Sequence, residues 1–363
     1  MSEDTWTVVN RTTSKRKVAK QRYFYGTSLT RPTTTSTIMK DPVVEVDPQE
    51  VTAQINACSQ HLLRSHFYDN AIQAWESYTR TLADNNDSDE NDDQEVAAAA
   101  TTTVQEIVCY GIGNFIVSKS SHWHGPLWQL AFALQLPAIV KKNFNPNHAT
   151  CPMVYYDPLV TNLERTVLQQ YFQINVLSNN EKGKRCTSKN NNNQQVSDSE
   201  TSSSSATTTA TTTTLFFMPH CPKGLYENVL WANWNQLQQN PLSICIIGNS
   251  LVTYVERAIM STTTSSGNNS SCHPASSCLE LIQPFLREQL IVYSKNDVRD
   301  MPGQFEAAFN DTYLTWFVKG RTNCNHHDPA NKVPHDDEGR TINRLVWPER
   351  PEQPSHDGQT EVL

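Results

Sequence analysis

Four short stretches carry the residue types that could do chemistry. Gly111-Ile112-Gly113-Asn114 ends an apolar run from Glu106 to Tyr110. Its two glycines permit a tight turn and close backbone approach to a ligand, with amides facing whatever sits above the strand end. Asp157 follows a second apolar run, where a ribose-binding acid would stand. It also precedes Pro158, which favours a helix N-cap, and one residue could do both. His220 and Cys221 offer an acid or base near neutral pH beside a nucleophile or metal ligand. Gly248-Asn249-Ser250 closes a further apolar run. The candidate pocket is therefore Gly111, Gly113, Asn114, Asp157, His220, Cys221, Asn249 and Ser250.

Each stretch also has a structural reading. The glycine turn lacks the third glycine of G-x-G-x-x-G, because position 116 is Ile116. An adenosyl or dinucleotide cofactor is thus one alternative, and the cofactor stays unknown. A His-Cys pair at a strand end can converge in the loop, or can place one residue in the core and one outside. Cys272, His273 and Cys278 have loosely metal-like spacing but lie in a Ser/Thr tract, so no metal is assigned. Asn310-Asp311-Thr312 could brace a final helix or reach the site. No Walker A loop, H-E-x-x-H or G-x-S-x-G occurs, so no catalytic residues are assigned and enzymatic activity is left open.

These residues need strand–loop–helix units to position them. Apolar runs at Val108–Tyr110, Met153–Tyr156, Gln173–Leu177, Leu215–Met218, Ile244–Ile247 and Leu290–Tyr293 predict strands. Amphipathic stretches lie between them, and Asp47-Pro48-Gln49-Glu50 announces a helix start. A second helical stretch is expected over about 71–82. Alternation of this kind predicts an α/β fold with a doubly wound, mostly parallel Rossmann-like sheet. Ligands in such sheets bind beyond the carboxyl ends of the strands, the edge that all four stretches share.

The 363 residues suffice for one packed domain of about 200–230 residues with polar insertions and tails. Residues 1–46 are expected to be a disordered tail with a basic arm from Arg11 to Arg22. Residues 47–322 form the domain, with disordered insertions at about 84–103, 178–214 and 261–277, and 323–363 are a polar tail. Net charge is −8, against a nucleic-acid partner, although the arm could serve nuclear import or RNA contact instead of lying solvated. Nine scattered cysteines without a signal peptide predict free thiols, and no apolar window is long enough to span a membrane. Cytoplasm and nucleus are the expected compartments.

The ordered set Val108-Cys109-Tyr110-Gly111-Ile112-Gly113-Asn114-Phe115, Tyr156-Asp157-Pro158, Met218-Pro219-His220-Cys221, Asn233-Trp234, Ile247-Gly248-Asn249-Ser250 and Phe309-Asn310-Asp311-Thr312 resembles the sensitivity-to-red-light-reduced family. Trp6-Thr7-Val8-Val9 before the basic arm is similar to that family's N-terminus. The His122-Trp123-His124-Gly125 loop departs from it. The resemblance implies a regulatory role in circadian rhythm and light signalling, or in haem-metabolism regulation, exercised through protein partners or a small ligand. It brings no catalytic residues. The alternative is a Rossmann-like cofactor-dependent enzyme, a methyltransferase or oxidoreductase.

Overall fold

The structure is a computed structural model that describes residues 46–84, 103–116, 124–141, 151–187, 212–263, 277–301, 303–318 and 347–351. The basic arm, the acidic run beyond residue 84 and the Cys272-His273 pair lie outside the described residues.

Asp47 caps the first helix: its carboxylate accepts from Gln49 N at 2.9 Å, with Pro48 in the first turn. That helix, α1, runs Pro48–Leu62, and α2 follows at His66–Asp84. Strand β1 is Thr103–Tyr110, longer than its apolar run. Next come α3, Gly125–Ala133, and α4, Leu136–Lys141. Pro137 therefore opens a new helix instead of ending the old one, as a residue without an N–H can in a first turn. Strand β2, Met153–Tyr156, leads to α5, Asn162–Phe172, and to β3, only Asn175–Val176. Gln173 closes α5 in the left-handed region at φ 56°, so it is a helix cap and not a strand residue.

Strand β4 is Thr212–Met218, followed by α6, Lys223–Ala232, α7, Trp234–Gln239, and β5, Ile244–Gly248. Helices α8, Leu251–Thr263, and α9, Cys278–Ile282, precede β6, Leu286–Leu290. Helices α10, Lys295–Asp300, and α11, Phe305–Phe309, lead to β7, Tyr313–Phe317.

The result is a mixed α/β fold with a seven-stranded, mostly parallel sheet in the order β3-β2-β1-β4-β5-β7-β6. Only β7 breaks the pattern, running antiparallel to both β5 and β6. Alternation along the strands sends successive residues to opposite faces. Ile107 and Cys109 of β1 join a core with α1 to α5 and α11, while Val108 and Tyr110 join one with α6 to α9. Trp75 and Trp128 anchor the first core and Trp234 the second, all at most 1% exposed. A large buried apolar side chain stabilises by roughly 1.5–3 kcal/mol, so the two cores hold the sheet from both faces.

Three expectations need correction. A seventh strand, Tyr313–Phe317, follows Asn310-Asp311-Thr312 in a stretch where no strand was expected; it is rich in aromatic residues and carries the β-branched Thr315, types that suit a pleated surface. The sixth strand sits at Leu286–Leu290, upstream of Leu290–Tyr293, because Arg287, Glu288 and Gln289 pair along an edge. The polar stretch from residue 178 is ordered through Thr187. Arg185 donates to Glu106 through Nε at 2.8 Å and Nη2 at 2.8 Å, and to Glu181 through Nη1 at 2.9 Å. Asn233 fastens the same segment, accepting from Thr187 N at 2.7 Å and donating to Arg185 O at 2.8 Å. A fan of charge-assisted bonds on one Arg orders a segment that has little apolar area to bury. Residues 188–211 lie outside the described residues, as do 85–102 and 264–276.

Candidate functional site

The strand order reverses between β1 and β4: β2 and β3 lie on one side, β5 on the other. Loops after β1, β2, β4 and β5 meet at this edge, where open α/β sheets hold their ligands.

On the β1/β2 side, Gly111 and Gly113 have φ 66° and 87°, backbone that side-chain-bearing residues rarely adopt. The turn they form is clasped from below by two acids. Asp157 accepts from Gly113 N through Oδ2 at 2.7 Å and from Leu159 N through Oδ1 at 2.8 Å. Glu164 accepts from Phe115 N at 2.6 Å and Ile116 N at 3.0 Å through Oε1. Its Oε2 takes Thr161 N at 2.8 Å and Thr161 Oγ1 at 3.0 Å. Asp157 is therefore not the cap of the next helix. Thr161 caps α5 in a capping box with Glu164, four residues further on. Burial pushes the Asp157 carboxyl above its ordinary range, against the pull of the Leu159 and Gly113 amides.

Asn114 sits on the rim, its Oδ1 accepting from Ile116 N at 2.9 Å. His124 closes the far side of the turn through an Nε2 contact with Phe115 O at 3.1 Å. Burial draws the His124 ring below its usual range, outweighing that carbonyl.

On the β4/β5 side, His220 and Cys221 do not act together. Cys221 is buried, with Sγ 3.4 Å from Tyr110 O, and burial pushes its thiol well up. A protonated thiol held as a weak donor in the core is no nucleophile at neutral pH. His220 is exposed and sits at φ 54°. Its Nε2 lies 3.0 Å from Ala307 O and 3.2 Å from Ala308 O. Two carbonyl partners assign the hydrogen to Nε2 and leave Nδ1 as the free ring position.

Asn249 braces both loops. Its Oδ1 accepts from His220 N at 2.7 Å, and its Nδ2 donates to Tyr254 Oη at 3.2 Å. Tyr254 in turn donates to Cys221 O at 2.6 Å. Asn249 N donates to Tyr226 Oη at 2.9 Å, and Tyr226 donates to Met218 O. Gly248 is required here, because a Cβ would stand 2.5 Å from Tyr226 Oη and 2.7 Å from Met218 O. Ser250 donates to Glu288 Oε2 at 2.8 Å and accepts from Thr253 N at 3.0 Å, so it starts α8. Asp311 lies on this side: its charge helps raise the Tyr226 and Tyr254 phenols, behind burial and the neighbouring Cys221.

The candidate residues thus gather at one edge, but only the Asn114 amide and the His220 ring stand on its rim. Asp157, Asn249 and Ser250 are spent on the loops themselves, and Cys221 is core. Sequence reasoning passed over Glu164, Tyr226 and Tyr254. Glu164 had a local signal, lying three residues after a threonine; the two tyrosines look like any buried face of a helix. Among the described residues, no group of three or more His, Cys, Asp or Glu side chains could hold a metal ion. No described helix is long and apolar enough to cross a membrane.

Residues 59–316 match the model of the SRR1 domain family. The SRR1-like protein of Mus musculus is 32% identical over 153 residues, 42% of this chain and 47% of that protein. The protein SENSITIVITY TO RED LIGHT REDUCED 1 of Arabidopsis thaliana is 27% identical over 152 residues, 42% of each chain. The SRR1-like protein of Drosophila melanogaster is 27% identical over 147 residues, 40% of this chain and 39% of that one. The chain thus spans less than half the length of each of these relatives. No solved structure matches it.

Proposed function

The chain belongs to the SRR1 domain family, and from that premise we propose that it is a regulatory protein acting through a small ligand at its sheet edge and through protein partners. One observation carries the ligand site: four strand-end loops converge where the strand order reverses and are locked to one another by side chains. The finer reading we propose for the sheet is the doubly wound, Rossmann-like one, with β1 leading to β2 and β3 and β4 leading to β5. The Arabidopsis relative is named for reduced sensitivity to red light. We take light-response signalling, and the circadian role or haem-metabolism regulation that the family resemblance implies, as the setting for this chain.

The geometry also supports a class of ligand. In a pyrophosphate site the turn amides are left free to receive the anion. Here the amides of Gly113, Phe115 and Ile116 are engaged by Asp157 and Glu164. Two carboxylates beneath the turn repel a further anion. A neutral or cationic ligand fits this edge better than a dinucleotide.

The same observation favours a second reading, a cofactor-dependent enzyme. Of its two forms, a methyltransferase using a sulfonium cofactor suits two acids under the glycine turn, and a dinucleotide-dependent oxidoreductase does not.

Thermal shift of the full chain with S-adenosylmethionine, nicotinamide dinucleotides, ATP and haem tests both. The expected result is stabilisation by a neutral or cationic compound, reduced in Asn114→Ala and His220→Asn. Stabilisation by dinucleotides and ATP alone would reject the ligand class. No shift with any compound, or one that both variants retain in full, would remove the site.

A further inference from the structure

Outside the strand-end site, one short segment makes more specific contacts than its length or composition suggests. Residues 347–351 read Trp-Pro-Glu-Arg-Pro, in a stretch the sequence presents as a polar tail. Pro348 and Pro351 stand three apart, the repeat of a polyproline II helix, whose backbone makes no internal hydrogen bonds and leaves its carbonyls to a partner. Residues 319–346, which join the segment to β7, lie outside the described residues.

The groove that holds the segment repeats that spacing. Trp234 Nε1 donates to Pro348 O at 3.2 Å, and Trp231 Nε1 donates to Pro351 O at 3.2 Å. Two indoles three residues apart thus meet two carbonyls three residues apart, in opposite chain directions. Gln238 adds a bond from Nε2 to Pro348 O at 2.7 Å. The Arg350 guanidinium carbon lies 3.8 Å from the ring centroid of Trp231, within cation–π range. Trp347 stacks on Phe285 at 4.3 Å and 28°, and meets Trp234 edge-on at 6.0 Å.

We propose that the face of α6 and α7 bearing Trp231 and Trp234 is a recognition groove for an extended Pro-x-x-Pro peptide, filled by the chain's own Trp347–Pro351 and open to a partner protein that presents the same pattern. Indole donors toward carbonyls of a proline-rich segment, with an aromatic surface for its cation, are the means by which proline-rich ligands are read elsewhere. Every contact is made to a carbonyl, an aromatic ring or a guanidinium that a foreign peptide also carries, and none needs the covalent link. That link makes docking intramolecular, so the resident segment holds the groove against ligands in solution until one matches it in kind and exceeds it in local concentration. The groove is independent of the small-ligand reading, which could fail without affecting it.

The test uses the full chain and a fluorescent synthetic peptide covering residues 344–354, with binding read as anisotropy. In the chain, Trp347→Ala with Arg350→Ala vacates the groove. This variant should bind the peptide at least about tenfold more tightly than the wild type, whose groove is occupied. Peptides carrying Trp347→Ala or Arg350→Ala should each bind at least about fivefold more weakly than the parent; being changes in the peptide, they leave the fold of the chain untouched. Trp231→Ala added to the vacated chain should abolish the gain. Equal binding by wild-type and vacated chains would overturn the proposal. So would binding indifferent to the peptide's Trp and Arg. A wild-type dimer that forms with concentration and dissociates on adding peptide would overturn the assignment of the segment to its own chain.

Discussion

The two halves of the sheet edge do the same mechanical job with different chemistry. On the β1/β2 side, loop amides are held by the buried carboxylates of Asp157 and Glu164. On the β4/β5 side, the loops are held by an amide and two phenols, those of Asn249, Tyr226 and Tyr254. The carboxylate on that side, Glu288, is set back on Ser250 and the start of α8. Hydrogen bonds to a charged acceptor are roughly twice as strong as neutral ones, and a buried charge that loses its donors is costly. The first half is therefore the rigid, negative wall of the site. The second is held by neutral groups, with the charge of Asp311 near their phenols, and carries the exposed ring, His220.

The largest effect should come from the rigid wall. Glu164 is fully buried and accepts four hydrogen bonds, two from the glycine loop and two from Thr161. Glu164→Ala strands those donors, and we expect a loss of about 3–5 kcal/mol in urea unfolding. A loss under about 1 kcal/mol would erase the distinction between the halves, because a neutral bond is worth as much.

Next is the neutral half at its tightest point. Gly248→Ala places a Cβ against Tyr226 Oη and Met218 O and should cost about 1–3 kcal/mol. Tyr226→Phe removes the hydroxyl the Cβ would strike, so the double variant should lose less than the two singles together. Strict additivity would show that the loop yields elsewhere and that Gly248 is not the constraint.

The contrast also explains what could be read from sequence. Gly111, Gly113 and Gly248 were legible because a turn and a strand end impose their needs locally, on φ or on the first residues of a loop; Asp157 was legible only as a strand-end acid, because its bond to Gly113 joins two loops far apart in the chain. Glu164 was hidden in the pattern of its own helix: in the first turn of α5 an acid serves the capping box, and only the fold brings its other oxygen beneath Phe115 and Ile116. Strand β7 was obscured because Phe309 and Phe317 are both buried although one ends a helix and the other a strand, so apolar spacing did not separate them. The order of Glu181–Thr187 depends on Glu106 and Asn233, partners far along the chain that no local window contains.

A smaller effect separates the halves by pH. Burial raises the carboxyls of both Asp157 and Glu288. A carboxyl raised in the folded state contributes stability that is full below its ordinary value, 3.8 or 4.5, and lost as pH rises through the raised value. Glu288→Gln keeps an acceptor for Leu251 and Val252 and removes the titration. The melting temperature of the wild type should therefore fall relative to this variant as pH rises above 4.5 and through the raised value. The opposite slope would mean that the donors from Ser250 and α8 outweigh burial at Glu288.

The smallest change falls at His220, and it measures how soft the neutral half is. Its φ of 54° is a conformation that asparagine tolerates better than histidine. His220→Asn relieves that strain but gives up the Nε2 contacts to Ala307 and Ala308. One hydrogen bond of this kind is worth about 1 kcal/mol, comparable to the backbone term, so the net change in unfolding free energy should lie within about 1 kcal/mol of zero. The ring's own role then shows in ligand response and not in stability. A variant of wild-type stability that loses its ligand-induced thermal shift would place His220 in contact with the ligand. A loss of about 2 kcal/mol or more would instead make the imidazole a brace tying β4 to α11, as structural as the carboxylates across the edge.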